Sequence, residues 1–150
     1  MSAEPFVPPG FAVPDRLVTP LFRLEPLGPE HNERDHAAWS SSVEHIHASP
    51  GFEGRRWPHE MTPEENLRDL ERHAQDFADR TGFTYTVLEP SGDDVIGCVY
   101  IYPDREGSHD ARVRSWVRAD RAELDVPLRR AVADWLASDW PFADVDYDLG

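Results

Sequence analysis

The chain has 150 residues, 29 acidic and 15 basic, and a net charge of −14; the length fits one compact domain, and the charge repels nucleic acid and anionic membranes unless basic residues gather on one face. All fifteen basic residues are arginine, which excludes a Schiff-base lysine and the lysine of a phosphate-binding P-loop. No apolar run approaches the roughly 20 residues that span a bilayer, and the lone cysteine, Cys98, lies in an apolar stretch where it reads as packing.

Residues 1–20 contain Pro5, Pro8, Pro9, Pro14 and Pro20 and predict an extended, proline-rich arm without regular helix. Glu4 and prolines stand where a basic and hydrophobic leader would begin, so a cytoplasmic location is expected. Residues 21–27 read as a first strand, with Leu21, Arg23, Glu25 and Leu27 on one side and Phe22 and Leu24 on the other. Residues 31–47 are polar and loosely helical, with Ala37, Ala38, Val43 and Ile46 as inward contacts. Pro50, Gly51 and Gly54 mark a loop leading through Arg55, Arg56 and Trp57 to the strongest helix signal. There Thr62 is the cap, Pro63 suits the first helical position and Glu65 completes a Thr-x-x-Glu capping box. Leu67, Leu70, Ala74, Phe77 and Ala78 recur at three- and four-residue spacing, and Gly82 is expected to end the helix.

Residues 83–88 and 95–102 read as the strands of a central hairpin, the second apolar on both faces. Residues 111–118 alternate, with Ala111, Val113, Ser115 and Val117 on one face and Arg112, Arg114, Trp116 and Arg118 on the other. A last helix carries Leu128, Val132, Trp135 and Leu136 on one side, and Trp140, Pro141 and Phe142 lead into a short strand near 145–147. There is no internal repeat, and residues 21–150 form a single domain in this reading.

The runs Arg16-Leu17-Val18-Thr19 and Phe22-Arg23-Leu24-Glu25-Pro26-Leu27, the Thr62 helix, the hairpin ending in Val95-Ile96-Gly97-Cys98-Val99-Tyr100 and the strand through Val113 and Val117 follow a familiar order. Over residues 16–147 the chain resembles the GNAT superfamily of N-acetyltransferases, of the bacterial ribosomal-protein-modifying type. The resemblance implies an α+β, three-layer fold: a mixed, mostly antiparallel central sheet flanked by helices, here C-terminally truncated. It implies acetyl-CoA as cofactor beside the strand ending at Val117, its pyrophosphate on N–H groups at the start of the next helix. The acceptor would be the amine of a small molecule or protein. The implied cofactor-binding residues are Val117, Arg118, Arg121, Arg129 and Arg130, and Trp57 lies in the loop where relatives contact substrate.

The pyrophosphate motif of the family, Arg/Gln-x-x-Gly-x-Gly/Ala, meets the run Arg121-Ala122-Glu123-Leu124-Asp125-Val126-Pro127. Leu124 and Val126 add side chains where glycine lets a phosphate touch backbone, and Pro127 deletes one N–H. Asp120, Glu123 and Asp125 add negative charge, opposed by Arg121, Arg129 and Arg130. The tyrosine that serves the family as an acid belongs past the fifth strand and has no candidate in this reading. Arg112, Arg114 and Trp116 occupy the positions where a base would be useful, so no catalytic residue is assigned.

His31, His36, His45 and His47 fall close together, but their spacing suits no metal motif and no metal is expected. Arg112, Arg114 and Arg118, with Trp116, Tyr100 and Tyr102 as walls, suit either an anionic ligand or cross-strand pairing with carboxylates. The candidate substrate residues are therefore Trp57, Tyr100, Arg114 and Trp116. Two functional readings stay open: an acyl-CoA-dependent N-acyltransferase, or a catalytically inactive GNAT-fold module that binds a ligand or a protein. A homodimer is compatible with either, with Trp135, Trp140 and Phe142 as contacts.

Overall fold

The computed structural model describes residues 5–150. One six-stranded sheet runs in chain order through β1 (Leu17–Val18), β2 (Arg23–Pro26), β3 (Phe83–Leu88), β4 (Val95–Tyr102), β5 (Ala111–Val117) and β6 (Val145–Asp146). Neighbours are antiparallel except β5 and β6, which run parallel. Helices α1 (Asn32–Ser40), α2 (Val43–His47) and α3 (Pro63–Asp79) cover one face, and α4 (Asp125–Asp139) the other. The α+β, mostly antiparallel architecture expected from the sequence is the one observed.

Strand alternation divides the core between the two faces. Tyr85, Val87, Val99, Ile101, Val113 and Val117 pack with Leu128, Val132, Trp135 and Leu136 of α4. Leu88, Val95, Cys98 and Trp116 pack with Trp39, Ile46, Phe52 and Leu70. Helix α3 begins where its capping box predicts: Thr62 Oγ1 accepts from the Glu65 N–H at 3.1 Å, and Glu65 Oε1 accepts from the Thr62 N–H at 3.0 Å. Its end differs from expectation. Arg80, with φ 62°, takes the left-handed position, and its guanidinium donates to the Pro8 carbonyl at 2.7 Å. Gly82 instead makes room, because a Cβ there would stand 2.1 Å from the Tyr102 ring.

The start of the proline-rich arm lies outside the described residues, but the rest joins the same core. Val7 is buried, Phe6 stacks on Phe83 and Phe142, and Phe11 packs on Trp140. The aromatic contacts expected to serve a second copy are internal. Trp135 and Trp140 are 4% and 6% exposed, and Phe142 is stacked on Phe6 and Trp140. Burying rings of that size within one chain removes more apolar surface from water than leaving them for a partner. Among the described residues no helix is long and apolar enough to cross a membrane.

Candidate functional site

Residues 112 and 114 of β5 stand directly across from Tyr102 and Tyr100 of β4, so two arginines and two tyrosines share one patch of the sheet. Above that patch, α3 and the loop before it leave a cleft of about 1300 Å³. The loop contributes Phe52, Arg55, Arg56 and Trp57; α3 contributes Asp69, Leu70, Arg72, His73 and Asp76; Arg105 and Glu106 follow β4. Leu27, just after β2, and Asp35, on α1, complete the lining.

Arg114 is held by packing. Its guanidinium lies 5.6 Å from the Phe52 ring centroid, a cation–π arrangement. Gly51, at φ +90°, permits this, since a Cβ there would meet Arg114 Cγ at 2.9 Å. Burial and the nearby charge of Arg55 lower the Arg114 pKa, and burial and Arg112 do the same to Arg55. His73 is the other tuned group. Its Nδ1 lies 2.8 Å from Tyr102 Oη and 3.1 Å from Thr84 Oγ1, while the Tyr102 hydroxyl donates to Asp76 Oδ2 at 2.9 Å. Burial, with help from Arg72 and Arg114 against Asp76, pushes the imidazole down to about 4, so it is neutral at neutral pH. On α1, Asp35 accepts from the Asn66 amide at 3.1 Å, and burial pushes its carboxyl up to about 6.

Three of the four candidate substrate residues line this cleft: Trp57, Tyr100 and Arg114. Trp116 lies beneath it, fully buried, and supports its floor by donating from Nε1 to Tyr100 Oη at 2.9 Å. Burial raises the Tyr100 pKa, so that hydroxyl stays protonated. Arg118 points elsewhere, to the Val95 carbonyl and the Asp120 carboxylate. Arg55, Arg105 and the α3 pair Arg72 and His73 carried no shared spacing signal in the sequence, because they come from three separate segments.

The parallel pair makes a second feature. β5 and β6 align only at Ala111 with Val145 and Arg112 with Asp146. β5 then continues to Val117 while β6 ends at Asp146, so the β5 edge beyond Arg112 has no β6 partner. Tyr147 lies against that edge, with Oη 2.6 Å from Ser115 Oγ. Burial raises the Tyr147 pKa and keeps its hydroxyl protonated. Tyr147 stands one residue beyond β6, where the sequence reading had it as the end of the last strand.

The five candidate cofactor residues surround the start of α4. Val117 is fully buried. Arg118 pairs with Asp120 at 2.9 Å, and Arg121 pairs with Glu89 and with Glu123. Arg129, 7% exposed, donates to the Leu149 carbonyl at 3.1 Å and stands 3.7 Å from Asp125. Arg130 is exposed. Asp125 itself opens α4, with His45 Nε2 2.9 Å from its carboxylate. A carboxylate thus already meets the positive end of the helix. Among the described residues no group of three or more His, Cys, Asp or Glu is arranged to hold a metal; His36 and His47 contact the Met61 and Pro58 carbonyls.

No protein-family model and no curated protein matches the chain. Solved structures do. The ribosomal-protein-S5-alanine acetyltransferase from Vibrio fischeri matches over 81% of this chain and 66% of its own, at 16% identity and a TM-score of 0.60. The Salmonella typhimurium acetyltransferase that modifies the N-terminal serine of ribosomal protein L7/L12 matches over 82% and 69%, at 12% identity and a TM-score of 0.60. An L7/L12 alpha-N-protein acetyltransferase in complex with coenzyme A matches over 82% and 68%, at 11% identity and a TM-score of 0.56. The chain spans just under two thirds of the length of the Vibrio fischeri enzyme. Sheet order, the parallel β5–β6 pair and these matches agree: the chain has the fold of the GNAT acetyltransferases.

Proposed function

We propose that the chain is an acyl-CoA-dependent N-acyltransferase acting on the amine of a small molecule or a protein. The observation that carries this reading is the β5 edge left beyond the short parallel pairing with β6, with the Tyr147–Ser115 hydroxyl pair on it. Acetyl-CoA, when bound along the β5 edge, would supply the activated acyl group. Burial raises the Tyr147 pKa, so its hydroxyl keeps its proton at neutral pH and can donate a hydrogen bond to a group bound beside it. The similar structures are ribosomal-protein acetyltransferases, one of which modifies an N-terminal serine, and they support a protein amine among the acceptors. A fold alone does not specify an activity; the support comes from that edge and its hydroxyl pair.

A second reading, a GNAT-fold module without catalysis, is favoured by the start of α4. Pro127 lacks an N–H, and Asp125 occupies the helix end with His45 and Arg129 as its partners. That end does not fit a pyrophosphate. Calorimetric titration with acetyl-CoA, with free coenzyme A as comparison, separates the two. Micromolar binding that is followed by acetylation of an amine panel, and acetylation that falls in Tyr147→Phe with binding retained, supports the enzyme. No heat at millimolar acetyl-CoA supports the module.

A further inference from the structure

Arginine is distributed unevenly over this molecule. Of fifteen guanidinium groups, six line the one cleft: Arg55, Arg56, Arg72, Arg105, Arg112 and Arg114. Arg72 has Asp69 at 3.4 Å and Arg112 has Asp146 at 3.9 Å. Arg55, Arg56, Arg105 and Arg114 have no carboxylate within 4.0 Å among the described residues. The chain carries 29 carboxylate side chains for those fifteen arginines, so acids are not scarce. The aspartates on the cleft wall already have partners: Asp69 has Arg72, Asp76 the Tyr102 hydroxyl and Asp35 the Asn66 amide. Glu106 stands exposed at the rim.

Like charges gathered without counter-charge repel, and a half-buried guanidinium such as Arg114 also loses hydration. The fold nevertheless reserves space for this arrangement, through Gly51 against Arg114 and Gly82 against Tyr102. Guanidinium groups recognise carboxylate and phosphate in bidentate fashion, and Phe52, Trp57, Tyr100 and Tyr102 offer flat walls to an organic body. We propose that the cleft binds a small organic polyanion, with at least two carboxylate or phosphate groups, and that Arg55, Arg112 and Arg114 form the primary clamp. The inference does not depend on acyl transfer: under that reading the polyanion is the acceptor, and without it the polyanion is the ligand of a binding module.

The test uses the full chain at low ionic strength, with pyrophosphate and citrate as probes, followed by calorimetry and thermal shift. Saturable one-to-one binding of at least one probe is expected, weakened about tenfold or more in Arg114→Gln and in Arg55→Gln. Arg68→Gln, on the exposed side of α3, should bind like the parent. Arg55 is exposed in a loop, so its variant folds even if Arg114→Gln does not, and circular dichroism checks both. Binding of pyrophosphate alone identifies phosphate as the recognised group, and binding of citrate alone identifies carboxylate. Failure of both probes to bind at about 10 mM, well above the affinity range of a specific small-ligand site, overturns the proposal. Binding equally strong in both clamp variants also overturns it.

Discussion

Asp35 and His73 should tilt the stability of this protein in opposite directions over the same acid range. Burial pushes Asp35 from its ordinary 3.8 up to about 6, against the opposing pull of Asn66, His31 and His36. A carboxyl that holds its proton more tightly in the fold contributes stability below 3.8 that is lost as pH rises through about 6. Burial, with Arg72, pushes His73 from 6.5 down to about 4. The stability associated with its neutral form is present above 6.5 and lost as pH falls through about 4. At 1.36 kcal/mol per pKa unit, each effect amounts to about 2 kcal/mol between about pH 4 and about pH 6. The two slopes nearly cancel in the parent. Urea denaturation of the parent, Asp35→Asn and His73→Asn across that range separates them. Relative to the parent, Asp35→Asn should gain about 2 kcal/mol as pH rises, and His73→Asn should lose about 2 kcal/mol. The carboxylates of Glu65, Asp104 and Asp120, whose pKa values are lowered by hydrogen bonds, tilt all three curves alike. Three parallel curves would refute the reasoning.

Gly82→Ala should destabilise by about 2 kcal/mol, because its Cβ would displace the Tyr102 ring and break the bonds to His73 and Asp76; an unchanged urea midpoint would count against that packing. Thr62→Ala removes one arm of the α3 capping box and should cost about 1 kcal/mol, read from the thermal midpoint. Thr86→Val should stabilise by about 1 kcal/mol, since Thr86 Oγ1 is buried without a partner. A lower midpoint for Thr86→Val would mean that the hydroxyl has a partner in solution.

What the sequence determined by itself is what neighbouring residues decide among themselves. The Thr62–Glu65 box closes over three residues, and hydrogen bonds of that reach fold the same way wherever the segment lies. Strict alternation along residues 111–117 likewise set which side chains share a face, and Arg112, Arg114 and Trp116 do share one. Whether those arginines met acids or open space was not legible. Their surroundings come from residue 55 in a loop, residue 73 on α3 and residue 105 after β4, which only the docking of α3 across β4 and β5 brings together. Around α4 the same lack of information led the other way. Arg121 and Arg129, read as phosphate partners, are engaged by Glu89 and by Asp125 and the Leu149 carbonyl. Helix caps and strand faces follow from short-range bonding, whereas the partner of a long charged side chain depends on which distant segment burial brings within about 4 Å.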